Sequence, residues 1–337
     1  MQGFQLQRIA SSMPIAERAH PQGQPTPSAV AIGTFDGVHL GHHALLTRLC
    51  AAAAERGLRS AILTFEPAPR EWFACQRGET PPTRIASLRN RVLRLRACGV
   101  QRVCVTRFGS RLASMEAEDF VKNLLVKKMG ARYLLVGDDF RFGARRVGDF
   151  ALLEKLAPQL GFEVAQISTV LTHDRVRISS SAVRERLGLG DLTGAAELLG
   201  SPWRIDGHVI YGAQLGRTLG FPTMNLRVPT PFPAARGVFV VQVQGLSPAP
   251  VRGVASLGTR PAVEDAGRML LEVHLLDWQG SAYGRVIGVE FLHKLRDEEA
   301  WSGPDALALL TAQIRQDVAD ARAWFTEHGS PAIRGPH

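Results

Sequence analysis

Cysteine and long apolar runs are both scarce in this sequence of 337 residues. The four cysteines, at positions 50, 75, 98 and 104, lack the paired C-x-x-C spacing of a zinc site, so we expect reduced and mostly packed thiols. No stretch approaches the roughly 20 apolar residues of a membrane span, and we expect no membrane partner. The amino-terminal residues include Gln, Arg, Pro and His where a secretory signal needs an apolar run, which predicts a cytoplasmic location.

Lysine is scarce as well, because only five of the 40 basic residues are lysines and the others are arginines. The formal net charge of +9 favours anionic partners, and arginine suits bidentate recognition of phosphate. The arginines are scattered, apart from a cluster between Arg89 and Arg96 that is typical of the solvated face of a helix. Phosphorylated small molecules explain this balance as well as RNA does. Since basic and aromatic residues are not interleaved, we expect no nucleic-acid partner.

Two common nucleotide-binding motifs are absent. The sequence contains no G-x-x-x-x-G-K-[ST], which excludes a P-loop, and no G-x-G-x-x-G follows a predicted strand. Any phosphate site in this chain must therefore be built in another way.

Short apolar runs alternate with helical stretches through the first part of the chain. Strands are predicted at 29–34, 60–65, 101–106, 132–136 and 162–167, helices at 42–56, 85–97, 116–129 and 149–160, and a weak strand at 4–9. Strands separated by helices are joined by right-handed crossovers, so this part is predicted to be an α/β domain with a mostly parallel sheet.

The composition changes after two further predicted helices, at 180–188 and 191–199. Short β-type runs separated by Gly and Pro then follow, at 204–211, 237–244, 251–257, 269–276 and 286–292. They predict a small antiparallel barrel or sandwich. A closing helix at 303–325 carries an apolar stripe, from Leu307 to Phe325, that should dock on the barrel. We place the domain boundary near residue 201, which gives domains 1–201 and 202–337.

Residues 31–42, AIGTFDGVHLGH, form the stretch around which the first domain is organised. A short buried strand feeds a helix through a glycine-bearing turn, so free backbone N–H groups and a positive helix end lie beside that turn. Such a position suits phosphate. His39 and His42 are spaced to lie on the same side of the first helical turn, and Gly41 leaves room for a ligand between them. This layout is typical of a nucleotide-binding crevice in an open α/β sheet.

Three further segments are predicted to converge on the same edge of the sheet. They are residues 64–69 (TFEPAP), 136–143 (VGDDFRFG) and 178–184 (ISSSAVR). Each has an ordinary interpretation when taken alone: a serine run before a helix is commonly an N-cap, and Gly-Asp-Asp is commonly a turn.

Taken in order, the four segments resemble the motif set of the bacterial bifunctional riboflavin kinase/FAD synthetases. The resemblance implies a Rossmann-like nucleotidyltransferase domain that adenylylates FMN. It implies that His39 and His42 donate to the ATP phosphates, and that Ser180 and Arg184 close over them from the other side. Further implied contacts are those of ATP with Gly33, Phe35 and Gly41, and of adenosine or the flavin nucleotide with Asp139.

In the second domain, residues 207–225 (GHVIYGAQLGRTLGFPTMN) combine several glycines with a polar pair. Thr223 and Asn225 are two residues apart, so in an extended segment both oxygens point to one side, where Mg²⁺ can be held. Residues 271–277, LEVHLLD, alternate as a strand that presents Glu272 and His274 on one face. The alternative interpretation is a glycine-rich hairpin, a Phe-Pro turn and a solvated glutamate on an edge strand.

Residues 207–225 resemble the fingerprint of the riboflavin kinase module, and Tyr283-Gly284 and residues 295–298 follow in family order. The resemblance implies that Thr223 and Asn225 bind the Mg²⁺ of MgATP, and that Glu272 is the general base for the ribityl hydroxyl. It also implies that Arg296 lies near the flavin. The residues implied to bind ATP are Gly216, Arg217, Gly220 and Pro222.

A few positions depart from the usual family pattern without removing an implied catalytic group. They are Met224 in place of Ala, Ala262 in place of Thr, Ser281-Ala282 in place of Asp-Leu, and the mild variants Thr34 and Ser181.

The expected function is therefore the phosphorylation of riboflavin to FMN by the second domain and the adenylylation of FMN to FAD by the first. Each cycle uses two ATP, and FMN and FAD are products. One alternative is a cytidylyl- or adenylyltransferase that acts on another phosphorylated metabolite. Another is a flavin-binding regulatory protein with no catalytic activity.

Overall fold

The computed structural model describes residues 25–172, 174–212, 216, 219–228, 232–259, 269–299 and 302–329. The strand predicted at 4–9, the implied ATP contact Arg217 and the departure Ala262 lie outside these residues. Contacts divide the chain into two compact units. The first, which we call the sheet unit, takes its described residues from 1–35, 42–80 and 91–169. The second, the barrel unit, takes them from 36–41, 81–90 and 170–337.

The sheet unit is built on five parallel strands in the order β3-β2-β1-β4-β5. The strands are β1 (Ser28–Ile32), β2 (Arg59–Glu66), β3 (Arg102–Arg107), β4 (Ala131–Gly137) and β5 (Glu163–Ile167). The helices are α1 (Leu40–Glu55), α2 (Pro69–Gln76), α3 (Leu88–Ala97), α4 (Ser110–Ala113), α5 (Ala117–Asp119) with a π-helical continuation (Phe120–Lys128), and α6 (Phe150–Leu160). The predicted parallel α/β sheet is confirmed. Every residue of β1 is buried, as expected for the central strand of a parallel sheet.

The barrel unit contains a closed barrel of strands in the order β10-β7-β6-β11-β8-β9. Its elements are α7 (Ser180–Gly188), α8 (Leu192–Leu199), β6 (Trp203–Ile210), β7 (Thr223–Arg227), β8 (Gly237–Gln244), β9 (Val251–Thr259), β10 (Met269–Leu275), β11 (Val286–Arg296) and α9 (Ala306–His328). All pairings are antiparallel. The sequence left two alternatives, an antiparallel barrel or a sandwich. The barrel is confirmed and the sandwich is excluded.

The barrel core also includes residues from α7 and α8, among them Val183 and Leu198, together with Trp203 and Phe291. Contacts thus group these two helices with the barrel, whereas the predicted boundary near residue 201 rests on the change in composition. That boundary stays a prediction.

The closing helix α9 docks through its carboxyl-terminal half. Ala321 and Phe325 are buried against Val238 and Val240 of β8. The amino-terminal half is more open, because Leu307, which the stripe predicted to be docked, is 53% exposed. That part of the prediction is wrong, because the residues of α9 that pack in this core cluster belong to its carboxyl-terminal half. No described helix is long and apolar enough to cross a membrane.

Among the elements that were not predicted are β7 and α2. The alternation along β7 covers only five residues after a Gly-rich stretch and a Phe-Pro turn, which is too short to indicate a strand by itself. α2 begins at Pro69, where the proline occupies the first helical position and needs no N–H partner.

Candidate active sites

The carboxyl ends of β1 and β4 lie at one edge of the parallel sheet. The strand order reverses at this point, because β2 lies on one side of β1 and β4 on the other. Ligands of doubly wound sheets bind outside the carboxyl ends of the strands at such a reversal. Gly33 and Thr34 follow β1 at this edge, and Asp138 and Asp139 follow β4. Asp139 is exposed.

Phe35 orients the imidazole of His42 within the sheet unit. The Phe35 side chain is 1% exposed, and its ring lies 5.0 Å from the His42 ring between centroids. A β-carbon at Gly33 would approach the Phe35 ring to 3.1 Å, so a larger residue would require the ring to shift slightly. Phe35 has a positive φ of 50°, a strained conformation of the kind that clusters at functional sites.

Arg91 is a buried cation, although the sequence predicts that it is exposed. Its cluster was predicted to be the solvated face of a helix, yet the Arg91 side chain is only 5% exposed. It donates to the Thr34 carbonyl at 2.9 Å and forms an ion pair with Glu66 at 2.8 Å. The prediction is wrong for Arg91 because its guanidinium pairs with Glu66, a partly exposed carboxylate at the end of β2, and a buried charge needs such a partner. Glu66 in the TFEPAP segment was the signal that could have indicated it.

Asp36 is the centre of a polar cluster in the barrel unit. The residue is 6% exposed, and its carboxylate accepts from the backbone N–H groups of Ile85 at 3.1 Å and Ala86 at 3.0 Å. Arg184 donates to the same carboxylate at 2.7 Å and to the Thr83 carbonyl at 2.6 Å. These two hydrogen bonds of the Arg184 guanidinium connect α7 to the turn that contains Asp36.

Ser180 reaches the same turn from the first residue of α7. Its hydroxyl donates to the Asp36 carbonyl at 3.0 Å, while Ser179 caps the helix by accepting from the Ala182 N–H. The serine run is therefore an N-cap, the ordinary interpretation, and it is also part of the cluster around Asp36.

His39 is 6% exposed and packs against Gly41 in the same unit. A β-carbon at Gly41 would lie 3.1 Å from His39 Nδ1 and 3.3 Å from the Ile178 carbonyl oxygen. The backbone of Gly41 is thus packed closely against His39 and the ISSSAVR segment, and a larger residue would require these neighbours to shift. His39 precedes α1 by one residue and His42 lies in its first turn.

The second candidate site lies on two paired strands of the barrel. In the antiparallel register of β7 and β10, Glu272 pairs with Asn225 and His274 pairs with Thr223. All four side chains lie on one face, because Met224, Leu271 and Val273 belong to the barrel core. The predicted alternation of residues 271–277 is confirmed.

Glycines and a turn shape the approach to this face. β-Carbons at Gly212 and Gly216 would collide with the Asn225 side chain and the Phe221 carbonyl oxygen, respectively. The Pro222 carbonyl oxygen lies 2.9 Å from His274 Nδ1. This hydrogen bond fixes the turn before β7. Gly220 has a φ of +86°, which favours glycine.

Asn225 carries a buried oxygen that is suited to a cation. The residue is 3% exposed, and its Oδ1 has no hydrogen-bond partner among the described residues. A buried polar atom without a partner is costly, and a hard cation held with the Thr223 hydroxyl would satisfy it. The donor set therefore fits Mg²⁺.

Arg296 at the end of β11 is held by α9. Its guanidinium makes two bonds of 2.8 Å to the carboxylate of Asp317, which is 4% exposed. The bond to Asp317 raises the pKa of Arg296 above its ordinary value. This pair anchors α9 to the barrel.

Two features together are typical of a two-part transferase that uses nucleotides. One is the glycine-bearing turn at the strand reversal of the parallel sheet, and the other is the set of candidate oxygen ligands for a hard cation on the barrel. Comparison with known proteins gives the family. The family model for FAD synthetase matches residues 22–182, and that for riboflavin kinase matches residues 199–325.

Two curated relatives are both bifunctional riboflavin kinase/FMN adenylyltransferases. The one from Escherichia coli strain K12 is 44% identical over 296 residues, covering 88% of this chain and 92% of the relative. The one from Haemophilus influenzae is 41% identical over 297 residues, covering 88% and 94%. A solved structure described as a macrolide-efflux protein from Streptococcus pneumoniae is 29% identical, with a TM-score of 0.70 over 90% of this chain and 96% of that one. The chain belongs to the bifunctional riboflavin kinase/FMN adenylyltransferase family.

Proposed function

We propose a division of labour between two parts of the chain in the two reactions of its family. The chain phosphorylates riboflavin to FMN and then adenylylates FMN to FAD, with ATP as the co-substrate of both steps. Residues 202–337 are proposed to carry the kinase and residues 1–201 the adenylyltransferase. The observation that carries the proposal is the direct pairing of Glu272 with Asn225 in the part that matches riboflavin kinase.

In the kinase reaction, Glu272 accepts the proton of the ribityl hydroxyl as its oxygen attacks the γ-phosphorus of ATP. A carboxylate within hydrogen-bond reach of the attacking hydroxyl is the expected partner in phosphoryl transfer. Thr223 and Asn225 hold Mg²⁺, which when bound neutralises charge on the phosphates. The buried Oδ1 of Asn225 supports this role. The backbone at Gly216, Gly220 and Pro222 approaches the nucleotide closely, and Arg217, outside the described residues, stays a predicted phosphate contact.

In the adenylyl transfer, the FMN phosphate is already ionised, so no enzyme nucleophile is needed. The phosphate oxygen attacks the α-phosphorus of ATP, and pyrophosphate leaves. The requirements are in-line positioning and donors where charge develops on the leaving group. His39 and His42 are proposed as these donors, together with the backbone N–H groups at the start of α1, which has 16 residues. Gly33, Phe35 and Gly41 shape this turn.

Arg184 and Ser180 are proposed to act on the phosphates chiefly through the turn that they hold. Their bonds to Asp36 support this role. Asp139, exposed after β4, is proposed to contact adenosine or the flavin nucleotide, and Arg296 is proposed to lie near the flavin. A cytoplasmic location is also proposed, supported by the four cysteines, which are all free thiols.

Incubation of the purified chain with riboflavin, ATP and MgCl₂, followed by chromatography of the flavins, tests the activity. FMN should appear first and FAD later, each with its own ATP consumed. Flavin binding without turnover of ATP would contradict the proposal, and fractionation of cells tests the location.

A further inference from the structure

Trp203, the first residue of β6, has a hydrogen bond that neither proposed reaction uses. Its indole is 1% exposed and packs on Phe291, with ring centroids 4.5 Å apart. The indole Nε1–H donates to the Ile85 carbonyl at 2.8 Å. A barrel residue therefore holds the peptide group of residue 85, which belongs to the segment 81–90 of the barrel unit.

The same segment has a second attachment to the loop before β8. The Arg84 N–H donates to the Phe232 carbonyl at 2.7 Å, and Arg84 forms a bridge with Pro233. With Trp203, two bonds on adjacent residues therefore fix residues 84 and 85 to the barrel.

The other side of Ile85 supports the turn of residues 36–41. The Ile85 N–H donates to Asp36 Oδ2, and the Ile85 side chain is 3% exposed. A β-carbon at Gly37, where φ is +84°, would lie 2.8 Å from Ile85 Cγ2. The turn is thus built directly on Ile85, whose N–H is held by Asp36 and whose carbonyl is held by Trp203.

We propose that Trp203 is a positioning residue for adenylyl transfer, although it lies in the part of the chain that matches riboflavin kinase. Its indole N–H fixes the Ile85 carbonyl, and the N–H of the same peptide group, that of Ala86, donates to Asp36 in the turn that carries His39 and Gly41. This inference rests on the proposed role of that turn in FMN adenylylation. The barrel therefore serves the second reaction as well as the first.

The expected size follows from the cost of losing this bond. Removing the indole N–H leaves the buried Ile85 carbonyl without its donor, and the segment must shift to find another. A displacement of about 1 Å at groups that position a substrate can lower a rate by up to about 100-fold. For a turn that retains its bonds to Arg184 and Ser180, we expect a decrease of about tenfold in the rate of adenylylation.

The test is Trp203→Phe, assayed separately with FMN plus ATP and with riboflavin plus ATP. The kcat for adenylylation should fall about tenfold while the KM for FMN stays within about twofold, because the turn positions phosphates and not the flavin. Riboflavin phosphorylation should stay within about twofold, although the substituted residue lies in the barrel. The matched control is Trp324→Phe, the same substitution at an indole that packs in a different core cluster of the barrel unit, which should leave adenylylation unchanged.

A second variant removes only the N–H and keeps the shape of the ring. Site-specific replacement of Trp203 by benzothienylalanine puts sulfur in place of the indole N–H, so packing on Phe291 is retained. It should show the same selective loss. In addition, Trp203→Phe made in the Asp36→Asn background should lower adenylylation by much less than tenfold, because both residues act through one peptide group.

Equal losses in both reactions, or unchanged adenylylation in the benzothienylalanine variant, would overturn the inference. The proposed function is tested apart from it by His42→Ala. If His42→Ala adenylylates FMN at the wild-type rate, the proposed site is refuted. If His42→Ala loses adenylylation but the Trp203 variants adenylylate FMN at the wild-type rate, only the role of Trp203 is refuted.

Discussion

The side-chain amide of Asn225 packs against Gly212 in a space that a β-carbon would fill. The glycine therefore sets the position of a candidate Mg²⁺ ligand. We predict that Gly212→Ala raises the KM for MgATP in riboflavin phosphorylation at least about tenfold, because the amide must move away from the cation. Steady-state kinetics at saturating Mg²⁺ measures this. Gly207→Ala in β6, where a β-carbon would meet only ordinary contacts no closer than 3.4 Å, should have little effect.

Asn225 itself should determine the metal requirement of the kinase. Asn225→Ala removes the buried Oδ1, so the Mg²⁺ concentration for half-maximal FMN formation should rise about tenfold or more. Titration of both reactions with Mg²⁺ tests this, and the requirement of adenylylation should stay unchanged. An equal rise for the two reactions, or none for the kinase, would argue against Asn225 as a ligand.

Arg91 should contribute strongly to the stability of the sheet unit. Arg91→Ala removes the 2.8 Å ion pair with Glu66 and one of the two hydrogen bonds that the Thr34 carbonyl accepts, the other coming from the Thr64 hydroxyl. We expect a decrease of about 2–4 kcal/mol in the free energy of unfolding, somewhat below a fully buried pair because the Glu66 side chain is 28% exposed. Urea denaturation measures it. Arg96→Ala on the exposed side of the same helix should change it by less than about 0.5 kcal/mol.

The docking of α9 should weaken at acidic pH through His293. Its ring stacks on Trp324, which in turn stacks on His328. Burial, and secondarily the charge of His328, lowers the pKa of His293. As the pH falls through about 6.5, His293 is therefore protonated in the unfolded chain before it is protonated in the folded protein. The free energy of unfolding decreases as the pH falls below that value.

His293→Gln should accordingly lose less stability than the wild type between pH 7.5 and pH 5.5. Urea denaturation at the two pH values tests this, with the exposed His208→Gln as the control that should keep the full dependence. A wild-type slope in His293→Gln would show that other groups cause the acid sensitivity.

Periodicity predicted the sheet and the barrel well, because the central strands β1, β2 and β4 of the sheet are short apolar runs and the burial along β10 alternates strictly. It failed where a partner distant in sequence decides burial. Arg91 is buried beside Glu66 at the end of β2, and Leu307 is exposed although it belongs to the same apolar stripe as the buried Phe325. Nothing in the local pattern around either residue carries that information.

The candidate sites show the same limit. The i, i+2 spacing correctly placed the side chains of Thr223 and Asn225 on one face, and the alternation correctly placed Glu272 and His274 on one face. The register of β7 and β10 then brings the two pairs together, which no local pattern could show. The bond of Arg184 to Asp36 was not predictable, because it depends on how residues 83–86 and α7 meet the turn. The roles of these residues in catalysis stay predictions.

The division of labour is tested most directly by Glu272→Gln, which keeps the size of the side chain and removes its capacity to accept a proton. The variant should form no FMN from riboflavin and ATP, yet convert supplied FMN to FAD at the wild-type rate, and Asp277→Asn beyond the same strand should retain both activities. Loss of both activities from folded Glu272→Gln protein, or continued formation of FMN, would contradict the account.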